Sequence, residues 1–225
     1  MCQINQIYNK LLDHYGAQGW WPLLDYQKNI NDDGLWGYHP DDYSLPKTKI
    51  QRFEVCIGAI LTQNTAWKNV QKALINLKKL NAIKPDTLKK IDIEKLKKAI
   101  TPAGYYNQKS KKLKIFADFF ISVKNKIPTR NDLLSVWGIG PETADSILLY
   151  AYKKPEFVVD AYTKRMFTNL GLIDDNYNYE KIKSFFEENL KNDIIVYQEY
   201  HALIVKHAGI YYRKKTNTCK DPLLS

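Results

Sequence analysis

Residues 133–167 read LLSVWGIGPETADSILLYAYKKPEFVVDAYTKRMF, and this stretch decides the fold. A short turn that contains Gly138 and Gly140 separates two segments of helical character, and Pro141 suits the first turn of the second one. Because glycine has no Cβ, the amide groups of this turn can approach a ligand closely, beside a helix N-terminus. The turn therefore suits a phosphate oxygen, and an ordinary corner between two core helices is the alternative.

A single carboxylate follows this turn along the chain. Asp160 ends the apolar run Phe157-Val158-Val159, which is too short for a strand and indicates a buried loop that carries the acid. Asp160 could supply chemistry as a carboxylate, or it could cap the helix that begins at Ala161. The residues alone leave both roles open.

Helical periodicity covers most of the remaining chain, so the predicted fold class is all-α. Residues 20–50 are rich in Trp, Pro, Asp, Asn and Gly and are predicted to form a loop, or a loop with a short helix. The predicted helices lie at 3–15, at 52–80 as two helices broken around Gln63-Asn64-Thr65, near 86–100, near 107–124, from about 131, and near 160–169, 179–190 and 194–208.

The charge balance favours a polyanionic partner. The 225 residues contain 34 Lys and Arg against 24 Asp and Glu, which gives a formal net charge of +10. Cationic side chains displace the counterions that condense on nucleic acid, so nucleic acid is a natural partner. A generally lysine-rich surface without such a partner is the alternative.

Cysteine usage and the apolar runs exclude several classes of protein. Cys2, Cys56 and Cys219 are an odd number without CxxC spacing, so we expect neither a disulfide framework nor a metal site. No apolar run has the length of a membrane span, and residues 1–16 lack the profile of a signal peptide. We expect a soluble, cytoplasmic and nucleoid-associated protein.

The pattern L-L-x-x-x-G-I-G-x-x-T-A-D at 133–145 resembles the helix-hairpin-helix of the endonuclease III superfamily of DNA glycosylases. In that family a catalytic Asp follows the hairpin in a Val-Asp context, where this chain has Val159-Asp160. The resemblance extends in the family's order through 53–65 and 102–109 and covers roughly 50–212. It implies a two-lobed all-α fold. One lobe would comprise 1–52 and 161–225, and a helical barrel lobe at 53–160 would contain the hairpin at about 131–150.

The resemblance implies a mechanism without a covalent enzyme–DNA intermediate. Bifunctional members carry a nucleophilic lysine two residues after the second hairpin glycine, and here Glu142 occupies that position. A carboxylate cannot form an imine, so water would attack the sugar with Asp160 as the catalytic residue. Glu142 is a possible second active-site position. It could also be a favourable negative charge at a helix N-terminus.

The resemblance also implies which residues contact DNA and the damaged base. Gln63 would fill the gap left by an extruded base, since an amide offers both a donor and an acceptor. The Trp-Trp-Pro segment is similar to that of 3-methyladenine glycosylases and would form the base pocket, with a pair of core residues as the alternative. The implied DNA contacts are Gly138, Ile139, Gly140, Thr143, Gln63, Asn64, Tyr105, Asn107, Gln108 and Lys109, and the implied pocket residues are Trp20 and Trp21.

The segment Cys219-Lys220-Asp221-Pro222 resembles the end of an iron–sulfur loop that keeps one of four ligands. One thiolate cannot hold such a cluster, so no cofactor is expected. The implied function is excision of alkylated purines from duplex DNA by a monomer without an obligate protein partner. The alternatives are an endonuclease III-like enzyme for oxidised pyrimidines and a DNA-binding module without chemistry. The residues assign no role to the loop 23–49 or to Lys215.

Overall fold

The computed structural model describes residues 3–26, 34–124, 126–213 and 221–224. Over these ranges the secondary structure is helical and contains no β-strand, which confirms the predicted all-α class. The helices are α1 (Gln3–Tyr15), α2 (Lys49–Leu61), α3 (Trp67–Lys79), α4 (Pro85–Lys90), α5 (Ile93–Ile100), α6 (Tyr106–Ser122), α7 (Arg130–Leu134), α8 (Pro141–Ser146), α9 (Ala161–Asn169), α10 (Tyr179–Asn189) and α11 (Ile194–Tyr211). A 3-10 turn lies at Thr101–Ala103, and a π-helical stretch at Ile147–Ala151 continues α8.

The structure differs from the prediction near residues 86–100, where two helices replace one. Helix α4 ends at Lys90, and Asp92 starts α5 by accepting hydrogen bonds from the backbone amides of Glu94 and Lys95 at 3.1 and 3.0 Å. Helical periodicity continues across this break, but a side-chain cap satisfies two helix-end amides and so favours a new start. None of the described helices combines the length and apolar character that a bilayer crossing requires.

The chain divides into two compact units. Unit 1 comprises residues 1–20, 40–43 and 153–225, and unit 2 comprises residues 21–39 and 44–152. Unit 1 is built from α1, α9, α10 and α11 around buried aromatic side chains. Phe157 stacks on Phe186 with ring centroids 4.2 Å apart, and the hydroxyl of Tyr200 donates to the carbonyl of Ile4 at 2.9 Å. The loop before Asp160 is therefore anchored in this core, as the apolar run predicted.

Unit 2 is organised around α2. The residues of this helix from Phe53 to Leu61 are buried, and α2 packs on α3, α6 and the π-helical stretch. Phe53 contacts Phe120 of α6 with centroids 4.9 Å apart. The helix begins at a capping box in which Thr48 and Gln51 exchange side-chain and backbone hydrogen bonds. This buried helix ends where the Gln63-Asn64-Thr65 loop begins.

Glu54 is a buried carboxyl group inside this apolar helix. Its Oε1 accepts a hydrogen bond from the amide of Leu24 at 2.6 Å, which fastens the start of the loop 23–49 to α2. Burial raises the pKa of Glu54 to about 7, and the Leu24 hydrogen bond opposes this shift only in part. The group therefore titrates in the folded protein well above its ordinary range.

This raised pKa predicts that stability falls as the pH rises from about 4.5 to 7. Over that window the folded protein keeps a proton on Glu54 that the unfolded chain has released, so deprotonation favours unfolding. We expect a loss on the order of 2–3 kcal/mol relative to Glu54→Gln, which cannot titrate and keeps an acceptor for Leu24. Urea unfolding of both proteins at pH 4.5, 6 and 7.5 measures the difference. Parallel pH profiles would contradict the prediction.

Candidate active site

The glycine turn joins two helices that an internal ion pair holds together. The guanidinium of Arg130 in α7 donates to both carboxylate oxygens of Asp145, from Nε at 2.7 Å and from Nη2 at 3.1 Å. Asp145 is fully buried and lies in α8. Helix α7 itself starts at a capping box between Thr129 and Asp132. A bidentate pair of this kind fixes geometry as well as adding energy, so the hairpin is a defined unit.

The two glycines of the turn have different requirements. Gly138 has φ of 86°, in the left-handed region, and an added Cβ would lie 2.7 Å from Cγ of Lys112. Gly140 has φ of −98° and ψ of 178°, an ordinary extended conformation, and an added Cβ would meet no atom within 4 Å. The side chain of Ile139 between them is buried. The protein therefore needs glycine at 138 for its own structure, whereas position 140 faces open space.

Gln63 is tied to the hairpin. Its Nε2 donates to the carbonyl of Gly138 at 3.1 Å and to Oγ1 of Thr143 at 3.0 Å, and its Oε1 accepts from the ammonium of Lys112. Thr143 is buried, so its side chain serves this internal bond. Asn64, the next residue, is exposed with φ of 53°. The predicted gap-filling residue and the hairpin thus form one hydrogen-bonded cluster within unit 2.

Lys109, one of the implied DNA contacts, has a buried side chain. Only 2 % of the residue is exposed, and its ammonium donates to the carbonyls of Leu61 and Ala103 at 2.8 and 2.9 Å and to Oγ1 of Thr65 at 2.6 Å. Burial, and secondarily the charge of Lys112, lower the pKa of Lys109 to about 8. All three donors of this ammonium are used internally, so a phosphate contact by the side chain would have to replace one of these bonds; the predicted contact stays a prediction. Lys109 joins the end of α2, the 62–65 loop and the 3-10 turn.

We expect Lys109→Met to lower the free energy of unfolding by about 2–4 kcal/mol, because two buried carbonyls would lose a charged donor. Urea unfolding measures the change. Lys111→Met is the matched control, because Lys111 lies two residues further along α6 and is exposed. Its replacement should change the free energy of unfolding by less than about 0.5 kcal/mol. Equal free energies of unfolding for the two variants would contradict the conclusion that Lys109 stabilises the junction of α2, the 62–65 loop and the 3-10 turn.

The other residues of the predicted phosphate loop are exposed. Tyr105 has φ of 46° and is 69 % exposed, and the amides of Gln108 and Lys109 donate to its carbonyl as α6 begins. Asn107 and Gln108 lie exposed in the first turn of α6. Their side chains are accessible to a ligand, in contrast to that of Lys109.

Asp160 stands at the start of α9 in unit 1. Its Oδ1 accepts hydrogen bonds from the amide of Thr163 at 2.7 Å and from Oγ1 of Thr163 at 2.8 Å. The cap considered from the sequence is therefore present, and it fixes the carboxylate through one oxygen. Burial lowers the pKa of His201 in α11, and the negative charge of Asp160 opposes that shift. Sequence reasoning missed His201, because no local pattern connects it with Asp160.

The predicted base-pocket residues belong to different units. Trp20 lies at the end of the first segment of unit 1 and is half-buried. Trp21 is 5 % exposed within unit 2, where its ring packs against Trp67 at 5.5 Å and Tyr150 at 5.4 Å between centroids. Trp21 therefore leaves little exposed surface for contact with a base. The pocket role of the two residues stays a prediction.

Trp36 and His39 of the loop 23–49 are held within unit 2 by polar contacts, whereas residues 40–43 of the loop belong to unit 1. Nε2 of His39 donates to the carbonyl of Trp21 at 2.9 Å, and Nε2 of Gln71 donates to the carbonyl of Trp36 at 2.8 Å. Groups of His, Cys, Asp and Glu side chains suited to a metal ion do not occur in the described part of the chain. These contacts join Trp36 to α3 and His39 to the backbone of Trp21.

Residues 221–224 are held in unit 1 by Asp221. Its Oδ2 accepts from Nε2 of His207 at 2.8 Å and from the hydroxyl of Tyr212 at 2.7 Å. Burial alone would raise the pKa of Asp221, but these hydrogen bonds outweigh burial and hold it below its ordinary value. Cys219, the one remaining residue of the iron–sulfur pattern, and Lys215, to which the sequence assigned no role, lie outside the described residues.

The whole excess of positive charge belongs to unit 2. This unit contains 21 Lys and Arg against 11 Asp and Glu, whereas unit 1 contains 13 of each. The formal charge is therefore +10 on the unit that carries the hairpin and zero on the other. A polyanion is attracted to the hairpin-bearing unit in particular.

The all-α fold with its hairpin defines a helix-hairpin-helix DNA repair protein. The sequence profile of the HhH-GPD superfamily, described as base excision DNA repair proteins, matches residues 57–192. The chain belongs to this superfamily, and its enzyme class is the base excision repair DNA glycosylase.

Similar proteins agree with this membership. A Methanocaldococcus jannaschii protein named "Putative DNA repair glycosylase" is 44 % identical over 94 % of this chain and 90 % of its own length. Endonuclease III of Sulfolobus acidocaldarius is 28 % identical over 97 % of this chain and 90 % of its own. The structure of H. pylori 3-methyladenine DNA glycosylase bound to 1,N6-ethenoadenine has a TM-score of 0.70 at 26 % identity, covering 92 % of this chain and 98 % of that one. The structure of a non-covalent endonuclease III–DNA complex has a TM-score of 0.72 at 17 % identity and covers 100 % of this chain and 94 % of that one. At this level of identity the similarity concerns the fold alone.

Proposed function

We propose that the protein is a monofunctional DNA glycosylase that hydrolyses the N-glycosidic bond of alkylated purines in duplex DNA. The observation that carries this proposal is the carboxylate of Asp160, which Thr163 holds by one oxygen. Both side-chain hydrogen bonds from Thr163 go to Oδ1, and we assign to Oδ2 the contact with the attacking water. The fixed carboxylate is suited to a proton-transfer and charge-stabilising role.

The proposed reaction begins with rotation of the damaged nucleotide out of the duplex. As the bond between C1′ and the base nitrogen breaks, positive charge develops on the sugar and the Asp160 carboxylate stabilises it. A water oxygen then bonds to C1′ while its proton passes to Asp160. An N-alkylated purine that already carries positive charge leaves with the electron pair of the broken bond and becomes neutral. It therefore needs no separate proton donor.

Two observations support a monofunctional enzyme that acts on alkylated purines. Glu142 is exposed on the first turn of α8, at the position where bifunctional relatives carry the nucleophilic lysine, and it cannot form an imine. The similarity to H. pylori 3-methyladenine glycosylase, together with the Trp20-Trp21-Pro22 segment, supports the substrate class.

Similarity to endonuclease III over 97 % of the chain favours a second candidate, a bifunctional enzyme for oxidised pyrimidines. That enzyme would need an amine other than residue 142 as its nucleophile. For the first candidate, Glu142 could assist the water, because a carboxylate can accept a proton. We propose that the protein acts as a monomer in either case.

A panel of duplexes, each with one lesion, tests the proposal. We expect release of 3-methyladenine or 7-methylguanine, strand breaks only after alkali, and no adduct after borohydride reduction on abasic DNA. Release of thymine glycol with a borohydride-trapped adduct would establish the second candidate. Tight binding with no release of any base would leave only the DNA-binding module.

A further inference from the structure

Lys112 of α6 donates a hydrogen bond to Gln63, the residue that is bonded to Gly138 and Thr143 of the hairpin. Its ammonium donates to Oε1 of Gln63, and its aliphatic stem lies against the Cα side of Gly138, where an added Cβ would be 2.7–2.8 Å from three stem carbons. The residue is partly buried, in contrast to the adjacent and exposed Lys111. Lys112 therefore touches both the 62–65 loop and the hairpin turn.

This ammonium determines which way the Gln63 amide faces. An amide group offers two donors on nitrogen and an acceptor on oxygen. The nitrogen of Gln63 meets two acceptors, the carbonyl of Gly138 and the hydroxyl of Thr143, and the oxygen meets the ammonium. A reversed amide would place its NH₂ group against a cation and its oxygen against a carbonyl, so only one orientation is favourable.

We propose that Lys112 is a positioning residue that joins the 62–65 loop to the hairpin through Gln63, so that both meet DNA as one preorganised surface. The proposal rests on the proposed function, because it takes the hairpin and loop as the DNA-contacting elements. Without Lys112, the carbonyl oxygen of Gln63 loses its charged donor, and only the two hydrogen bonds from its nitrogen hold the amide. DNA binding would then have to order the loop, which would raise Kd by about two- to tenfold for each side chain that is immobilised.

Desolvation supports this role. Lys112 is partly buried, and this burial lowers the pKa of its ammonium. Water competes less for the donor in such a place, so the bond to Gln63 is stronger than the same bond at a fully exposed site. The stem of Lys112 also fills the space beside Gly138, where a larger residue at 138 could not fit.

The experiment compares Lys112→Met with Lys111→Met. Both remove one positive charge from the same turn, and methionine keeps an aliphatic stem against Gly138. Binding to a duplex with a non-cleavable abasic-site analogue is measured from low to high salt. We expect Lys112→Met to raise Kd about five- to tenfold at all salt concentrations. Lys111→Met should raise Kd only at low salt, because an exposed charge is screened. Lys112→Arg, which keeps a cationic donor, should restore most of the affinity.

A double-mutant cycle with Gln63→Leu separates positioning from simple charge. If Lys112 acts through Gln63, Lys112→Met should change Kd by less than twofold in the Gln63→Leu background. Additive losses, or equal salt-dependent losses for Lys111→Met and Lys112→Met, would overturn the proposal. Thermal unfolding is recorded for every variant, and Lys112→Gln replaces the Met variant in the cycle if the latter unfolds. If the wild-type protein binds the analogue but releases no base from the lesion panel, only the glycosylase proposal fails. If the wild-type protein does not bind duplex DNA, both the glycosylase proposal and the positioning role of Lys112 fail.

Discussion

Replacement of Asp160 by Asn is expected to reduce base release by about 10²–10⁴-fold while the protein stays folded. An amide carries no negative charge for the developing sugar cation and cannot take a proton from water. Asn is, however, as good as Asp at capping a helix, so its oxygen can still accept the two hydrogen bonds from Thr163. Single-turnover base release and thermal unfolding measure the two effects on the same preparation.

The matched control for this variant is Asp160→Ala. Alanine removes both the charge and the cap, so the free energy of unfolding should fall by about 1 kcal/mol and activity should be lost as well. A loss of activity in Asp160→Asn without a loss of stability assigns the effect to chemistry. Full activity in a folded Asp160→Asn protein would falsify the catalytic role and favour the DNA-binding module.

Gly140→Ala is expected to weaken binding to duplex DNA at least about tenfold, or about 1.4 kcal/mol, with little change in stability. The backbone at 140 is extended, and the added methyl group would meet no protein atom within 4 Å. The free energy of unfolding should therefore change by less than about 1 kcal/mol. In the complex, the methyl group would stand where a phosphate must approach the turn amides closely. Fluorescence anisotropy with a labelled duplex measures Kd.

Gly138→Ala provides the contrast, because position 138 has φ of 86° and faces the stem of Lys112. We expect this variant to lose about 1–3 kcal/mol of stability through backbone strain. Comparison of Gly138→Ala with Gly140→Ala therefore distinguishes a glycine that the fold requires from a glycine that DNA binding requires. Wild-type DNA affinity in Gly140→Ala would show that the turn does not bring its backbone against phosphate.

The sequence predicted the elements that depend on local pattern. The period of Ile4, Ile7 and Leu11 indicated α1, and the glycine turn followed by Pro141 indicated the hairpin. The buried loop before Asp160 followed from a short apolar run. Each of these features is determined by residues that are close together along the chain, so helical periodicity and turn residues in the sequence are enough to predict it.

The sequence could not predict contacts between distant segments. Lys109 has the composition of a surface residue, and only the folded chain brings the carbonyls of Leu61 and Ala103 to its ammonium. The same is true of Lys112 in α6 and Gln63 in the 62–65 loop, and of His201 near Asp160. Charged residues are mostly exposed, so burial of a particular lysine depends on acceptors that local spacing does not reveal.

The uneven distribution of charge means that long-range attraction to a polyanion acts on the hairpin-bearing unit, whose formal charge is +10, and not on the unit whose formal charge is zero. This attraction would bring the hairpin-bearing unit to a duplex faster than unguided diffusion does. A larger share of random collisions would then be productive, and addition of salt should slow association more than it speeds release.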